Sequence, residues 1–330
     1  MDNPVTTPPF SKLTPETVLD AVESLGFFSD ACIAPLNSYE NRVYMVGIED
    51  GPPLIAKFYR PERWINEQII EEHNFCQELA AMDIPVVAPI VKHGNTLFTH
   101  QGYRFALYPR KGGQAPELDN DEHLYSIGQQ LGRIHSVGQK HPFEHRPTLT
   151  IESFGHQSRQ TIIELGFIPF KLRQEYESTS GKLLEKIEKQ FLPELIKPIR
   201  LHGDCHPGNI LMRNDNTQFV DLDDARNGPA IQDLWMLLSG DRNQQQRQLM
   251  SIIEGYEMFC SFDNRQIQLI ENLRALRLMQ YSAWLALRWT DPTFPMHFPW
   301  FNTEDYWKEH IKQLADQLQA LDEQPLRIAP

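Results

Sequence analysis

The 330-residue chain has no Cys-X-X-Cys pair; its four cysteines, Cys32, Cys76, Cys205 and Cys260, are scattered. That spacing argues against a disulfide framework and against a structural zinc site. Long apolar runs are missing too. The segment "IPVVAPIV" (84–91) carries Pro85 and Pro89 and is far shorter than the roughly 20 residues a bilayer span needs. Basic charge is scarce: the net charge is −13. Binding a polyanion rests on basic surface, so nucleic acid is not expected as a partner, and neither is a membrane. A small anion in a local pocket remains compatible with that balance. The opening "MDNPVTTPPFSKL" has no basic-then-apolar signal pattern, and a cytoplasmic location is expected. Residues 1–9 read as a mobile tail.

What is present is a soluble globular composition, 41% hydrophobic and 23% charged, in a chain long enough for two lobes. From about Ile33 to Arg110 the texture is that of strands: "VYMVGI" and "LIAKF" flank the turn "EDGPP", and "IVKH", "TLFTH" and "YRFALYP" follow. Between them, Ile65–Met82 has helical periodicity, with Ile65, Ile69, Phe75, Cys76 and Leu79 on one face. Glu72 shares that face, an odd place for a charge without a partner. Past "RKGGQAPE", helical segments dominate: about 121–138, 158–189, 231–238, 244–259, 264–289 and 303–320. "LIENLRALRLMQYSAWLALRW" is apolar around much of its circumference and reads as the buried centre of this half. The expectation is an α+β, bilobal fold. An N-lobe (1–110) holds an antiparallel sheet with one helix, and a larger helical C-lobe (111–330) carries the catalytic loop. A cleft between unlike lobes is implied.

The window "RLHGDCHPGNILMRNDNTQFVDLDDA" (200–225) interrupts the helices with loops and a short hairpin. Asp204 and Asn209 are five residues apart, and Asp221 follows at the end of "TQFVD". Phosphoryl transfer needs such a set. One carboxylate accepts the proton of the attacking hydroxyl. An amide oxygen and a second carboxylate hold Mg²⁺ against nucleotide phosphates, because magnesium takes hard oxygen ligands and few of them from protein. Protein kinases assign those roles to a catalytic-loop Asp, an Asn five residues on, and an Asp after a short hairpin.

"LHGDCHPGNIL" and "FVDLDDARNGPAIQDLWML" resemble the signatures of the aminoglycoside phosphotransferase and choline kinase group, whose fold is similar to that of protein kinases. "LNSYENRVY", "KFYRPERW", "EEHNF", "LGRIH" and "FPWF" extend the resemblance to a bacterial family of stress-response serine/threonine kinases with an aminoglycoside-kinase-like fold. It runs over about residues 12–325. It implies that Asp204 is the catalytic base and that Asn209 and Asp221 are Mg²⁺ ligands. Asp223 is then an outer-shell or second-metal group. Lys57 contacts the α- and β-phosphates of ATP, and Glu72 pairs with it, with Glu71 as a rival. Ser38 lies in the loop over the phosphates. Tyr108 to Arg110 form the hinge that reads adenine through its backbone, and Asp233 braces the catalytic loop. Taken alone, Lys57 reads as a snorkelling surface lysine, His135, His202 and His206 as structural histidines, and Cys205 as a buried filler.

Two departures from the kinase pattern bear on substrate. "LNSYENRVYMV" lacks the G-X-G-X-X-G glycines, so Ser38 or Asn37 side chains are expected to take over part of the phosphate contact. Gly181-Lys182 is no substitute: Tyr176 stands where a Walker loop needs glycine, and Leu183 where it needs Ser or Thr. Only eleven residues separate Asp221 from Asp233, too few for a peptide-docking activation segment. The resemblance therefore implies an ATP-dependent protein Ser/Thr kinase, with a kinase of small hydroxyl compounds (aminoglycoside-, choline- or homoserine-like) as the alternative. A metal-dependent hydrolase using His202, Asp204 and His206, and a nucleotide-binding pseudokinase, are the readings from other classes. A monomer is expected.

Overall fold

A computed structural model describes residues 8–192, 195–214 and 216–328. Residues 1–7 of the expected N-terminal tail lie outside the described residues. The first described residues form a turn closed by the Ser11 N–H donating to the Pro8 carbonyl at 3.1 Å.

The chain forms two compact units. The first runs to Ala115 and adds Glu144–Arg146 and Gly208–Asp223. It opens with α1 (Pro15–Glu23), which has no counterpart in the sequence reading. Thr14 caps it by accepting the Thr17 N–H at 3.2 Å, and Pro15 occupies the first turn, where its missing N–H costs nothing. The strands β1 (Ser29–Pro35), β2 (Arg42–Ile48), β3 (Gly51–Phe58), β4 (Phe98–His100) and β5 (Tyr103–Pro109) make one antiparallel sheet in the order β1-β2-β3-β5-β4. Its core joins Val18, Ala21 and Val22 of α1 to Val46, Leu54, Ala56, Phe58, Phe105 and Leu107. The helix α2 (Asn66–Ala81) buries Ile69, Glu72, His73, Phe75, Cys76 and Leu79. The expected strand "IVKH" is absent. That segment follows Pro89 and ends in a tight Lys92–Asn95 bridge.

Unit two comprises Pro116–Phe143, Pro147–Pro207 and the chain from Asp224 onward. Its first helix, α3 (Asp121–Gly138), is capped by Asn120, which accepts the N–H groups of Glu122 and His123. The long helix expected over 158–189 is two helices, α4 (Gln157–Leu165) and α5 (Phe170–Gln190). Gly166 ends α4 in the left-handed region at φ 72°, and Pro169 precedes α5. A π-helical turn, Glu152–His156, leads into α4.

The short strands of the quoted window fall on both units. β6 (Ile199–Leu201) pairs with β9 (Arg226–Gly228) in unit two, whereas β7 (Ile210–Arg213) and β8 (Asn216–Phe219) form the hairpin of unit one. Unit two continues with α6 (Ile231–Trp235), α7 (Arg242–Tyr256), α8 (Ile270–Arg288), α9 (Thr293–His297) and α10 (Glu304–Ala320). The α8 helix is central, burying Leu273, Ala275, Leu276, Met279, Ala283 and Leu285. α3 and α7 cross where Gly128 and Gly132 meet the Ile252 and Tyr256 carbonyls, and Gly255 meets that of Tyr125. A Cβ at any of these would strike backbone.

Candidate active site

In unit one the pleat of β3 sends alternate residues to opposite faces. Leu54, Ala56 and Phe58 enter the sheet core. Ile55 and Lys57 face a cavity of about 290 Å³. Ser38, Glu72, Tyr108, Asn209 and Asp221 line the same cavity, with Val43, Val87, Leu211 and Val220 as apolar wall. Arg110 is exposed and lines no part of it.

Lys57 is only 6% exposed, and its Nζ lies 2.7 Å from Oδ1 of Asp221 and 3.1 Å from Oδ1 of Asp223. Burial works to lower the Lys57 pKa, but the two carboxylates outweigh it and hold the ammonium well above the ordinary lysine value. Asp221 differs from Asp223 in accessibility: its side chain is 54% exposed against 6%. Asp221 also sits in the left-handed region at φ 59°, a conformation that costs a non-glycine residue on the order of 1–3 kcal/mol and collects at functional sites.

Asp223 is enclosed by cations. Asn41 Nδ2 donates to its Oδ2 at 3.1 Å, Arg63 forms an ion pair with that oxygen, and Arg146 donates to its backbone carbonyl. Burial alone would raise its pKa, yet Lys57, Arg63 and Arg146 hold the carboxyl well below the usual carboxylate range. The glycine-free β1–β2 loop is tied to the same cluster. Ser38 Oγ donates to the Asn41 carbonyl at 3.1 Å, Asn41 Oδ1 accepts the Arg60 N–H at 3.1 Å, and Glu40 pairs with Arg60 at 3.0 Å. Asn41, Arg60, Arg63 and Arg146 went unassigned in the sequence, although "ENR" and "RPER" lie within segments that carry the family resemblance.

The two neighbouring glutamates of α2 have separate duties. The Glu71 carboxylate accepts the backbone N–H groups of Glu144, His145 and Arg146 at 2.5, 2.9 and 2.7 Å. Glu72 is buried and lines the cavity, with Cys76 Sγ at 3.3 Å and His73 Nε2 at 3.7 Å. Burial raises its pKa, while Lys57 and Arg146 oppose the rise through space. Lys57 makes its close ion pairs with the two aspartates and none with Glu72. The Tyr108 ring is fixed from behind by its hydroxyl, which lies 2.9 Å from the Tyr59 hydroxyl and 3.3 Å from His73 Nε2. Burial pushes the His73 pKa down to about 3, with Lys57 adding to the effect.

Asp204 belongs to unit two, in the loop after β6. Asp233 braces that loop: its Oδ2 accepts the His202 N–H and its Oδ1 the Gly203 N–H, both at 2.8 Å. His135 Nε2 lies 3.0 Å from the same Oδ2, and its Nδ1 lies 3.0 Å from the Tyr256 hydroxyl. A carboxylate only accepts, so the His135 proton on that side belongs to Nε2. Gly203 has φ 85°, and a Cβ there would strike the Asp224 carbonyl, so the turn that presents Asp204 requires glycine. Asp204 Oδ1 forms an ion pair with Arg277 Nη1 at 2.7 Å, and its Oδ2 is 3.7 Å from His206 Nε2. Cys205 is fully buried, and burial raises its thiol well above the ordinary value, which suits a packing residue rather than a nucleophile.

Asn209 and Asp221 are oxygen donors on one cavity wall, and the Asp221 carboxylate is accessible. That set fits a cation that takes few protein ligands and completes its shell with phosphate and water. Among the described residues no three His, Cys, Asp or Glu groups gather as an all-protein metal site, which the hydrolase reading of His202, Asp204 and His206 requires. Among the described residues no helix is long and apolar enough to cross a membrane.

Residues 33–276 match the model of the phosphotransferase enzyme family. Stress response kinase A of Escherichia coli strain K12 is 46% identical over 321 residues, 97% of each chain. A protein of Salmonella typhimurium strain LT2, serine/threonine protein kinase RdoA, matches with the same identity and coverage. Solved structures share the kinase-like fold. Amicoumacin kinase hAmiN, in complex with AMP-PNP, Ca²⁺ and Ami, superposes with a TM-score of 0.71 at 16% identity, covering 91% of each chain. Spectinomycin phosphotransferase APH(9)-Ia with ADP and spectinomycin gives a TM-score of 0.64 at 15% identity, over 92% of this chain and 98% of that one. The matched span contains Lys57, Glu72, Asp204, Asn209 and Asp221, and this chain is an enzyme that belongs to the phosphotransferase enzyme family.

Proposed function

We propose that the protein is an ATP- and Mg²⁺-dependent serine/threonine protein kinase, acting as a cytoplasmic monomer in a bacterial stress response. The carrying observation is the cavity on which Ser38, Lys57, Asn209 and Asp221 converge. Unit one is then the nucleotide-covering lobe and unit two the lobe that supplies the catalytic loop. The chain matches the two named stress and serine/threonine kinases over almost its whole length, which favours a protein acceptor.

In this reading Asp204 accepts the proton of the acceptor hydroxyl at its carboxylate. The freed oxygen forms a bond to the γ-phosphorus of ATP as the bond from that phosphorus to the β,γ-bridging oxygen breaks, and ADP leaves with the electron pair. Lys57 brings a permanent positive charge to the α- and β-phosphates, and Asp223 holds Lys57 from the buried side. Glu72 acts on Lys57 through space. Ser38, on a loop tied down by Asn41, contributes its hydroxyl and neighbouring backbone where a glycine-rich loop would lie. The segment from Tyr108 to Arg110 meets the adenine edge through its backbone, so the exposure of the Arg110 side chain does not weigh against it. Asn209 and Asp221 would hold Mg²⁺, which when bound neutralises charge developing on the phosphates.

A second reading, a kinase of small hydroxyl compounds, is favoured by the eleven-residue interval between Asp221 and Asp233. Transfer of label from [γ-³²P]ATP tests both. A generic protein substrate, the enzyme itself and a panel of amino-alcohols and aminoglycosides would be compared. Label in serine or threonine of protein is expected. Label confined to a small alcohol would replace the first reading by the second, and no transfer to any acceptor despite Mg·ATP binding would favour a pseudokinase.

A further inference from the structure

We infer that Arg277 is a positioning residue for phosphoryl transfer, holding the carboxylate of Asp204 in the orientation from which it takes the acceptor's proton. The inference rests on the assignment of Asp204 as base.

Arg277 stands on α8, between the core residues Leu276 and Met279. Its Nη1 lies 2.7 Å from Asp204 Oδ1. That oxygen is sealed from solvent, whereas the Arg277 side chain is 31% exposed. Among the described residues this is the one ion pair Arg277 makes. Arg274, one turn earlier, has its own neighbours: Glu271 at 3.4 Å, Gln245 at 3.3 Å and the Trp235 ring at 5.7 Å. The two arginines therefore answer to different groups.

A general base needs its carboxylate plane fixed as well as its location, because proton transfer depends on alignment with the hydroxyl. The Asp233 brace acts on the backbone before Asp204, whereas Arg277 meets the carboxylate itself. The guanidinium adds a fixed positive charge beside Oδ1 from a rigid helix. A planar fork with a permanent charge suits that task better than an ammonium on a flexible stem.

Arg277→Ala, Arg277→Lys and the double variant Asp204→Asn/Arg277→Ala would be assayed beside wild type and Asp204→Asn, all as full-length protein. The measurements are kcat, KM for ATP, the melting shift given by Mg·ATP, and the response of the Ala variant to millimolar methylguanidinium. Arg277→Ala should lower kcat by about 10- to 100-fold, the range expected for a misplaced catalytic group, with KM for ATP and the melting shift near wild type. Lysine should retain more activity than alanine, and methylguanidinium should restore a measurable part of the loss. The double variant should be no slower than Asp204→Asn alone, since residues acting as one unit are not additive. A folded, ATP-binding Ala variant with wild-type kcat overturns the inference, as does a loss that neither lysine nor methylguanidinium relieves. The base assignment fails separately: it falls if Asp204→Asn transfers phosphate at the wild-type rate, whatever Arg277 does.

Discussion

Lys57 Nζ sits 2.7 Å from Oδ1 of Asp221, so the cation expected to meet nucleotide phosphates and the carboxylate expected to hold metal are in direct contact across 164 positions of sequence. Lys57 is buried and Asp221 is half-exposed, and the pair is flanked from within by Asp223. Asp223 secures the lysine, which leaves the accessible carboxylate as the replaceable one.

Asp221→Asn should therefore weaken engagement of Mg·ATP and reduce the melting shift it produces, because a charged oxygen donor is lost. Asp204→Asn should behave differently. It should slow transfer by roughly two to four orders of magnitude, the span of general-base contributions, and leave the Mg·ATP melting shift largely intact. The two variants assayed side by side, by shift and by label transfer, separate the roles.

Replacing Asp223 by asparagine removes one of the carboxylates that Lys57 and Arg63 share, leaving Asp221 to the lysine and Glu40 to the arginine. Breaking a buried pair from one side costs about 3–5 kcal/mol, measurable by denaturant unfolding. The pH dependence follows from the depressed Asp223 pKa. In the unfolded chain the carboxyl titrates near 3.8 and in the folded chain below it, so the contribution is fully present above 3.8 and is lost as pH falls toward the folded value. The stability gap between wild type and Asp223→Asn should narrow on acidification below that point and stay level above it.

Glu71→Ala and Glu72→Gln should part company despite their adjacency. Loss of Glu71 removes the acceptor of three backbone N–H groups. Each charged hydrogen bond is worth roughly 1.5–3 kcal/mol, so stability should fall and amide exchange at residues 144–146 should accelerate. Glu72→Gln should raise KM for ATP through its effect on Lys57, with little change in exchange at those amides.

Local pattern accounts for what the sequence discloses. Helical periodicity places Glu72 on the buried face of α2, and the alternation of "LIAKF" turns Lys57 away from the sheet core. The spacing of Asp204, Asn209 and Asp221 reflects a loop and hairpin read directly from the chain. The break between α4 and α5 was also written there, in Gly166 and Pro169, and helical texture on either side masked it. Other features arise only in three dimensions. Asn41 reaches Asp223 over 182 positions, and Arg63 over 160. Arg277 looks like any partly exposed arginine of a long helix until α8 packs beside the loop after β6. Its role has no sequence signal.

Because Lys57 already carries an anionic neighbour, nucleotide arrival would amount to an exchange reaction: the ammonium trades carboxylate oxygen for phosphate oxygen, and the released carboxylate becomes available to a metal ion. Few additional charges are neutralised in such a swap, so the affinity for nucleotide should respond only shallowly to ionic strength.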